Sequence, residues 1–391
     1  MSASARGSSM RSHLAVLGIE RFLRSVATGY LAVAIPIYVA RLAGSPAVAG
    51  LALTLAGLIS LGSSIAYSAI SDVVGHARGL ALSEAAFAFA LALLSTIRSP
   101  WAIAAALGIG GVGMLGPGAT RGSFVPQVMA IIRRKSRDPV GRTAELGLIN
   151  AISTSGGILG SSMAGLLAIE PATVAFAATS LASSALLALT LGREEAIRRT
   201  NPFAGVAKRA RTVAWYSASQ MAAGVGVGLS MPLLSLWMHV YCSLPEPTIG
   251  AIFAAGNAAF AVSSLASPLA VRRLGLVRTS ALSRFASAAL LASMSFVRSA
   301  VPLAIVYLLY NATVAIGGTA RSSYVSGASA TGSEATTPAV AGLTLRIAAL
   351  PATAIAGYVI DAYPAILMPL AGAFMALAGT AFLELSEEAA R

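Results

Sequence analysis

Charged side chains within apolar segments are the clearest chemical signal in this chain. Long apolar runs contain or border Glu20, Arg24, Arg121, Arg321 and Arg346. An arginine at the centre of a membrane helix costs about 2.5–3.5 kcal/mol, so four of them facing lipid would cost roughly 10–14 kcal/mol. Each guanidinium group should therefore face protein or water, unless it lies near enough to the membrane surface to reach it. For Arg121 and Arg321 this leaves three alternatives: binding an anionic group, closing a gate, or contacting the membrane surface.

The spacing of Glu20, Arg24 and Thr28 places them on one face of a helix, where Glu20 and Arg24 can pair. A buried carboxyl group can exchange a proton near neutral pH, which makes Glu20 a candidate for proton coupling. Its place at the edge of the apolar run predicts a solvated side chain instead. Glu84 and Glu145 lie where predicted helices begin, and an acid at a helix N-terminus needs no further role.

Polar and aromatic residues also recur at helical spacing within apolar segments. Residues three or four apart share one face of a helix. One such stripe consists of Gly110, Met114, Pro117 and Arg121, and another of Tyr307, Tyr310, Val314, Gly317, Arg321 and Tyr324. Further polar groups in apolar segments are Tyr216, Gln220 and Asn311. Such groups either hydrogen-bond a bound molecule or join neighbouring helices, and both uses stay open.

The composition indicates an integral membrane protein. Charged residues make up 10% of the 391 residues and apolar residues 57%, with a mean hydropathy of +0.79. A soluble domain carries charge on about a quarter of its residues. The net charge of +13 comes from short basic clusters between apolar runs, so we expect no nucleic-acid partner.

Several chemistries lack the residues that they require. Cys242 is the only cysteine, which excludes an intramolecular disulfide and a cysteine metal cluster. No Gly-Lys pair occurs, so a P-loop is absent. Asp72, Asp138 and Asp361 are remote from one another, whereas a Mg²⁺-dependent membrane enzyme needs clustered aspartates. We expect no catalytic residues, no metal and no cofactor.

Apolar runs of about 20 residues, the length that crosses a bilayer, recur twelve times. The predicted helices cover 16–40, 46–70, 79–97, 100–126, 144–168, 171–191, 213–240, 248–271, 279–297, 301–326, 338–361 and 364–384. Placing both termini in the cytoplasm puts 19 of the 27 basic residues in inner loops and tails, and three in outer loops. This asymmetry favours cytoplasmic termini in a multi-pass protein of the cell membrane.

The second half of the chain repeats the first at an offset of about 200 residues. The run Gly118-Ala-Thr-Arg121 corresponds to Gly318-Thr-Ala-Arg321. We expect an N-terminal six-helix bundle over 1–191, a cytoplasmic linker over 192–212 and a C-terminal six-helix bundle over 213–391. The small residues between Ser155 and Gly165 predict close helix packing.

The loop after the second predicted helix carries a family resemblance. Ser68-Ala-Ile-Ser-Asp72-Val-Val-Gly75-His-Ala-Arg78-Gly-Leu80 is similar to the G-x-L-x-D-R-x-G-R-R-x-x-L signature of the major facilitator superfamily. Asp72, Gly75 and Leu80 match. Ser68 replaces the first glycine, and Arg78 is displaced by one position from the basic pair.

This resemblance to prokaryotic or archaeal members implies an all-α fold of two pseudosymmetric bundles around a central cavity that opens alternately to each side. It places predicted helices 1, 4, 7 and 10 around the cavity. The implied cavity residues are Arg24, Thr28, Arg121, Tyr216, Gln220, Tyr307, Tyr310, Asn311 and Arg321. The implied gate residues are Asp72, Gly75, Arg78 and Arg346, with Asp72 pairing to Arg346.

We therefore expect a monomeric secondary transporter, not an enzyme, that moves a small organic solute through the lipid bilayer. Four membrane arginines favour an organic anion or an amphipathic compound, with protons as a candidate coupling ion. The alternative within carriers is a multidrug exporter of cationic or amphipathic drugs. A membrane-embedded enzyme and a channel are the alternatives from other classes.

Overall fold

The computed structural model describes residues 3–113, 139–190, 210–328 and 336–385, and within these ranges the chain is helical without a β-strand. Each of the twelve predicted segments overlaps a helix, and the seventh is divided in two. The all-helical fold class is confirmed. The helices are α1 (Ala3–Ala43), α2 (Pro46–Val74), α3 (His76–Leu94), α4 (Pro100–Ile109), α5 (Pro139–Met163), α6 (Ile169–Thr190), α7a (Ala210–Ser230), α7b (Leu234–Tyr241), α8 (Glu246–Leu274), α9 (Leu276–Met294), α10 (Ala300–Ala328), α11 (Thr336–Ala362) and α12 (Leu367–Leu383).

The described helices form a multi-pass membrane protein. Seven of them are long and apolar enough to cross a bilayer, and α7a with α7b, bent by 44°, would make an eighth span. Large apolar side chains point outward, as with Phe89, Leu265 and Val301, which are 61%, 81% and 71% exposed. Apolar surface of this extent needs lipid around it. The count of twelve crossings and the cytoplasmic termini remain predictions.

The helix α4 ends earlier than predicted because it reaches a glycine pair. The predicted segment was 100–126, but the helix ends at Ile109, Gly110 caps it, and Gly111 takes φ +74°. Left-handed backbone of this kind suits glycine and commonly ends helices. The N–H of Gly111 donates back to the carbonyl of Gly108 at 3.1 Å. Residues 114–138 lie outside the described residues.

Two glycines 200 residues apart form equivalent turns. Gly75 separates α2 from α3 with φ +97°, and Gly275 separates α8 from α9 with φ +81°. Their N–H groups donate to the carbonyls of Ser71 and Val271 at 3.0 and 2.9 Å. A side chain at either position would strain the backbone. Gly75, the glycine of the loop signature, is therefore needed for the turn between α2 and α3.

The chain divides into two compact units, which we call the N-terminal and the C-terminal unit. The first comprises Met1–Gly44 and Ala52–Arg198, and the second comprises Ser45–Leu51 and Arg199–Arg391. In the N-terminal unit α1 packs on α5, and α3 on α6. In the C-terminal unit α7a packs on α11, and α9 on α12, so the internal pairing of helices is repeated.

Close helix packing in α5 is confirmed. A Cβ atom on Gly156 would lie 2.4 Å from the Phe22 carbonyl oxygen, and one on Gly160 would lie 1.9 Å from that of Val26. Both carbonyls belong to α1. The Ser25 and Ser153 hydroxyls also join these two helices at 2.6 Å. Small residues let two membrane helices approach closely enough for such contacts.

Cys242 lies just outside the candidate membrane spans, and its burial predicts a slow reaction of its thiol. Cys242 directly follows α7b, is 8% exposed, and directs its thiol at the Val297 carbonyl oxygen, 3.8 Å away. Burial raises the pKa of this thiol to about 11. At pH 7.5 the reactive thiolate is therefore roughly a hundredfold scarcer than in a cysteine with the ordinary thiol pKa of 9.0. We expect N-ethylmaleimide labelling of the native protein to be slow, and to accelerate about tenfold per pH unit from 8 to 10. Complete labelling within minutes at pH 7.5, measured by intact-protein mass spectrometry against the unfolded protein, would contradict this burial.

Candidate functional site

Four ionisable side chains meet inside the N-terminal unit, and we call them the mixed-charge cluster: Glu20, Arg21 and Arg24 from α1, and Glu84 from α3. Each is 3% exposed or less. The guanidinium of Arg24 donates through Nη1 to Glu84 Oε1, and Arg21 Nη2 lies 3.2 Å from the same oxygen. Arg21 also donates through Nε to Glu20 Oε2. Two acids and two bases balance in charge, which is how charges can be buried at tolerable cost.

Arg24 also connects the cluster to the end of α4. Its Nη2 donates to the Gly110 carbonyl at 3.1 Å, and its guanidinium lies over the Phe87 ring, 4.3 Å from the centroid. The neighbouring Ile109 carbonyl accepts a hydrogen bond from the Tyr67 hydroxyl at 2.8 Å. A cation at a helix C-terminus satisfies unpaired carbonyls and complements the helix dipole. Arg24 therefore holds together α1, α3 and the end of α4.

Two predictions about acidic residues in this cluster are wrong. Glu20 was expected to be solvated, but none of its surface is exposed. Glu84 was treated as a helix-start acid, but α3 begins at His76, three residues before the predicted start, so Glu84 lies two turns inside the helix. Its Oε2 atom is buried with no hydrogen-bond partner among the described residues.

The C-terminal unit contains a second set of polar groups, two buried and two partly buried, which we call the basic cluster: Gln220 on α7a, Ser283 and Arg284 on α9, and Arg321 on α10. Arg284 is 3% exposed and donates through Nη2 to Gln220 Oε1 at 2.6 Å. Arg321 is partly buried and donates through Nη1 to the Ser283 hydroxyl at 3.1 Å. The acceptors in both of these bonds are neutral, whereas the arginines of the mixed-charge cluster contact carboxylates.

The predicted aromatic and amide candidates are buried in the C-terminal unit. Tyr216 stacks on Tyr324, with centroids 6.4 Å apart, and both pack on Phe382. Tyr307 stacks on Phe253 with centroids 5.4 Å apart. These rings fill the helical core of the unit.

The described side-chain hydrogen bonds of the remaining candidates go to protein atoms, within the same helix for Asn311 and Thr28 and to a distant segment of the unit for Tyr310. Asn311 donates to the Tyr307 carbonyl at 2.9 Å, and the Tyr310 hydroxyl lies 3.7 Å from the Met231 sulfur. Thr28 donates to the Arg24 carbonyl one turn earlier in α1, at 3.1 Å. These bonds serve helix packing, and a role in binding a solute stays a prediction.

The gate residues are only partly described. Arg78 is exposed near the start of α3, and Arg346 is partly buried within α11. Asp72 belongs to α2, but its side chain lies outside the described part, as does the whole of Arg121. The predicted Asp72–Arg346 pair and the role of Arg121 therefore stay predictions.

Comparison with known proteins shows which solved structures have this architecture. No family model and no curated protein sequence matches the chain, whereas solved structures do. The nucleoside transporter NupG gives a TM-score of 0.75 at 14% identity, covering 95% of this chain and 98% of that chain. A bacterial homologue of the iron transporter ferroportin, in its inward-facing state, gives 0.69 at 15% identity and covers 98% and 99%. The human organic anion transporter MFSD10 (TETRAN) gives 0.68 at 18% identity and covers 98% and 100%. This chain has the major facilitator fold.

The major facilitator fold confirms the resemblance carried by the loop signature. The sequence analysis did not include Arg284, which is buried, among the candidate residues. Arg284 was counted among the 19 basic residues of the inner loops and tails, although it lies inside both the predicted segment 279–297 and α9. The repeat offset would have found it, since Glu20 and Glu84 correspond to Gln220 and Arg284 at a separation of 200. In this chain each unit thus places polar groups at equivalent positions of its first and third helices, with Gln220 partly buried and the other three buried.

Proposed function

We propose that this chain is a secondary transporter that moves a small organic solute across the cytoplasmic membrane by alternating access. The observation that carries the proposal is the similarity of 95–98% of the chain to solved structures of transporters. Those proteins act on nucleosides, iron and organic anions according to their descriptions, so they agree on transport and differ in solute. An enzymatic role has no support from a nucleophile or metal constellation in the described residues.

We infer that the solute carries a negative charge. In the C-terminal unit the guanidinium groups of Arg284 and Arg321 donate hydrogen bonds to an amide and a hydroxyl oxygen, whereas Arg21 and Arg24 of the N-terminal unit meet carboxylates. The alternative, export of cationic drugs, needs a carboxylate that can meet the cation. Glu20 and Glu84 are buried, but arginine side chains already contact both. The charge arrangement therefore favours an anion.

The mixed-charge cluster is the proposed site of proton coupling. Glu20 was the candidate from sequence, and Glu84 offers the buried oxygen without a hydrogen-bond partner. Protonation of Glu84 would leave one guanidinium in excess and weaken the hold of α3 on α1, because Arg21 and Arg24 of α1 both contact this carboxylate. A proton could in this way change the packing of the helices that carry it.

Reconstituted vesicles test the proposal. We expect purified protein in liposomes to take up radiolabelled succinate or phosphate faster than empty liposomes, and a proton gradient to change the rate. Uridine provides the neutral control and choline the cationic one. Uptake of choline alone would contradict the anionic solute, and insensitivity to the proton gradient would contradict proton coupling. Uptake of none of the four compounds by a correctly folded preparation would count against the solute class proposed here.

A further inference from the structure

We propose that the turn between α8 and α9 is a binding surface for the headgroups of anionic lipids. Three exposed arginines, Arg272, Arg273 and Arg278, lie close together in sequence at this turn, and we call them the turn arginines. The inference goes beyond the proposed transport function, because it concerns the bilayer around the protein and needs no solute.

The turn arginines lie at one end of two helices. Arg272 and Arg273 belong to the last turn of α8, a candidate membrane span, and Arg278 belongs to the first turn of α9. Gly275, with φ +81°, joins the two helices. The 19 residues of α9 make it about 28 Å long, close to the roughly 30 Å of a hydrocarbon core. The turn arginines therefore lie at the level of the lipid headgroups.

Exposed leucines continue from the turn arginines into the apolar part of each helix. Leu265, Leu269 and Arg272 are spaced by four and three residues, which places them on one face of α8. The two leucines are 81% and 56% exposed. On α9, Leu282 is 53% exposed and follows Arg278 at a spacing of four residues. Each helix thus combines an apolar face for acyl chains with a cation for the headgroup.

No described residue neutralises the turn arginines. Their guanidinium groups take part in none of the ion pairs and hydrogen bonds between described residues, and the sequence from 247 to 333 contains no acidic residue. An arginine near the end of a helix often bonds the last carbonyls, but these three make no such bond within the described part of the chain. Their charge is therefore available to the phosphates of anionic lipids, which attract arginines at the membrane surface.

The equivalent turn of the N-terminal unit shows that the backbone does not require these charges. Gly75 forms that turn, and Gly275 forms the turn between α8 and α9. Where the C-terminal unit has three arginines, the N-terminal unit has Asp72, Val73 and Arg78, which carry one charge of each sign. The same left-handed turn is thus reached without net charge. An anionic membrane surface gives a reason for the arginines that the turn itself does not.

Native mass spectrometry of the purified protein measures which lipids stay bound. From an equal mixture of phosphatidylglycerol and phosphatidylcholine in a neutral detergent, we expect a preference of about tenfold for phosphatidylglycerol. Arg272→Gln combined with Arg278→Gln should reduce this preference by about fivefold or more, because one cation is lost from each helix. The matched control is Arg98→Gln combined with Arg298→Gln, which removes two charges from other exposed turns and should keep the preference.

Two outcomes of this comparison would overturn the proposal. An unchanged preference in the Arg272 and Arg278 double variant would show that the turn arginines do not bind the headgroup. An equal loss in the control double variant would show that the net charge of the protein determines the preference, and not this turn.

Thermal unfolding of the wild type provides a second measurement if the double variant does not fold. We expect phosphatidylglycerol to raise the unfolding temperature more than phosphatidylcholine does, because a ligand of the folded state stabilises it. High salt should remove this difference, since it screens exposed charges. A difference that persists in high salt would contradict the proposal. Equal stabilisation by sodium phosphate would show a site for free anions and would also contradict a surface for lipid headgroups.

Discussion

Replacing Glu84 by glutamine is expected to destabilise the protein more than any other single change of charge in the N-terminal unit. Glu84 Oε1 meets both Arg24 and Arg21, and all three side chains are buried. Without this carboxylate, Glu20 would be the one remaining acid of the mixed-charge cluster, beside two guanidinium groups. Removing one partner of a buried ion pair costs about 3–5 kcal/mol, because the remaining charge is left without compensation. We expect a large fall in the unfolding temperature and a loss of the monodisperse peak in size-exclusion chromatography.

An exposed ion pair of the same unit provides the matched control. Arg98 and Glu170 lie 3.2 Å apart with side chains 52% and 41% exposed. Exposed pairs contribute at most about 1 kcal/mol, so Glu170→Gln should leave the unfolding temperature almost unchanged. If both glutamine variants behaved alike, the mixed-charge cluster would have no special energetic role.

A double variant distinguishes charge from packing. Arg24→Met combined with Glu84→Gln removes one charge of each sign and leaves Arg21 with Glu20. Replacing both partners of a buried pair is often neutral or stabilising, so the double variant should regain much of the stability lost by Glu84→Gln. A double variant as unstable as the single one would show that lost contacts, such as that of Arg24 with Gly110, dominate instead of charge.

The helical fold could be predicted from sequence because the bilayer restricts the choices. Backbone groups in lipid must be satisfied within the segment, so a long apolar run is read as a helix. The positions of turns could also be predicted from sequence where a glycine takes a left-handed conformation, as at Gly75 and Gly275. The glycines of α5 predicted close packing for the same local reason. These features depend on residues near one another in sequence.

Pairing of the buried charges could not be predicted in this way. Arg24 and Glu84 are 60 positions apart, and nothing in the spacing along α1 favours Glu84 over Glu20 as a partner. A shift of three residues in the start of α3 moved Glu84 from the helix end to the interior. Arg284 was counted with the loop arginines although it lies within the predicted segment, and the structure buries it in α9. Small errors in helix ends thus decide whether a charge is read as solvated or buried.

Polar residues within membrane helices were the other source of uncertainty. Tyr307 and Asn311 have the composition of a binding surface, yet they lie in the core of the C-terminal unit, with Asn311 bonded to its own helix. In a membrane, hydrogen bonding between or within helices competes with binding of a solute for the same side chains. Sequence alone gives no measure of which use prevails.

Replacing Gly160 by valine is expected to prevent α1 and α5 from packing at all. A Cβ atom at Gly160 would lie 1.9 Å from the Val26 carbonyl oxygen and 3.0 Å from the Tyr30 nitrogen, both of them backbone atoms. Overpacking a core against movable side chains costs about 1–3 kcal/mol, and a rigid helix backbone cannot give way as a side chain can. The two helices would have to separate, and with α1 would move Glu20, Arg21 and Arg24. We expect little monodisperse protein in fluorescence-detected size-exclusion chromatography.

Two further glycines show whether this result comes from the helix crossing. Gly62→Ala in α2 places a Cβ atom where no other atom lies within 4 Å, and alanine favours a helix over glycine by about 1 kcal/mol, so this variant should be at least as stable as the wild type. Gly228→Val tests the equivalent crossing in the C-terminal unit, where a Cβ atom would lie 2.2 Å from the Ala349 carbonyl oxygen. It should fail as Gly160→Val does, because α7a and α11 repeat the contact of α1 with α5. Normal yields of both valine variants would mean that neither crossing is as close as the structure has it, and the mixed-charge cluster on α1 would then lose the rigid support from which its stability follows.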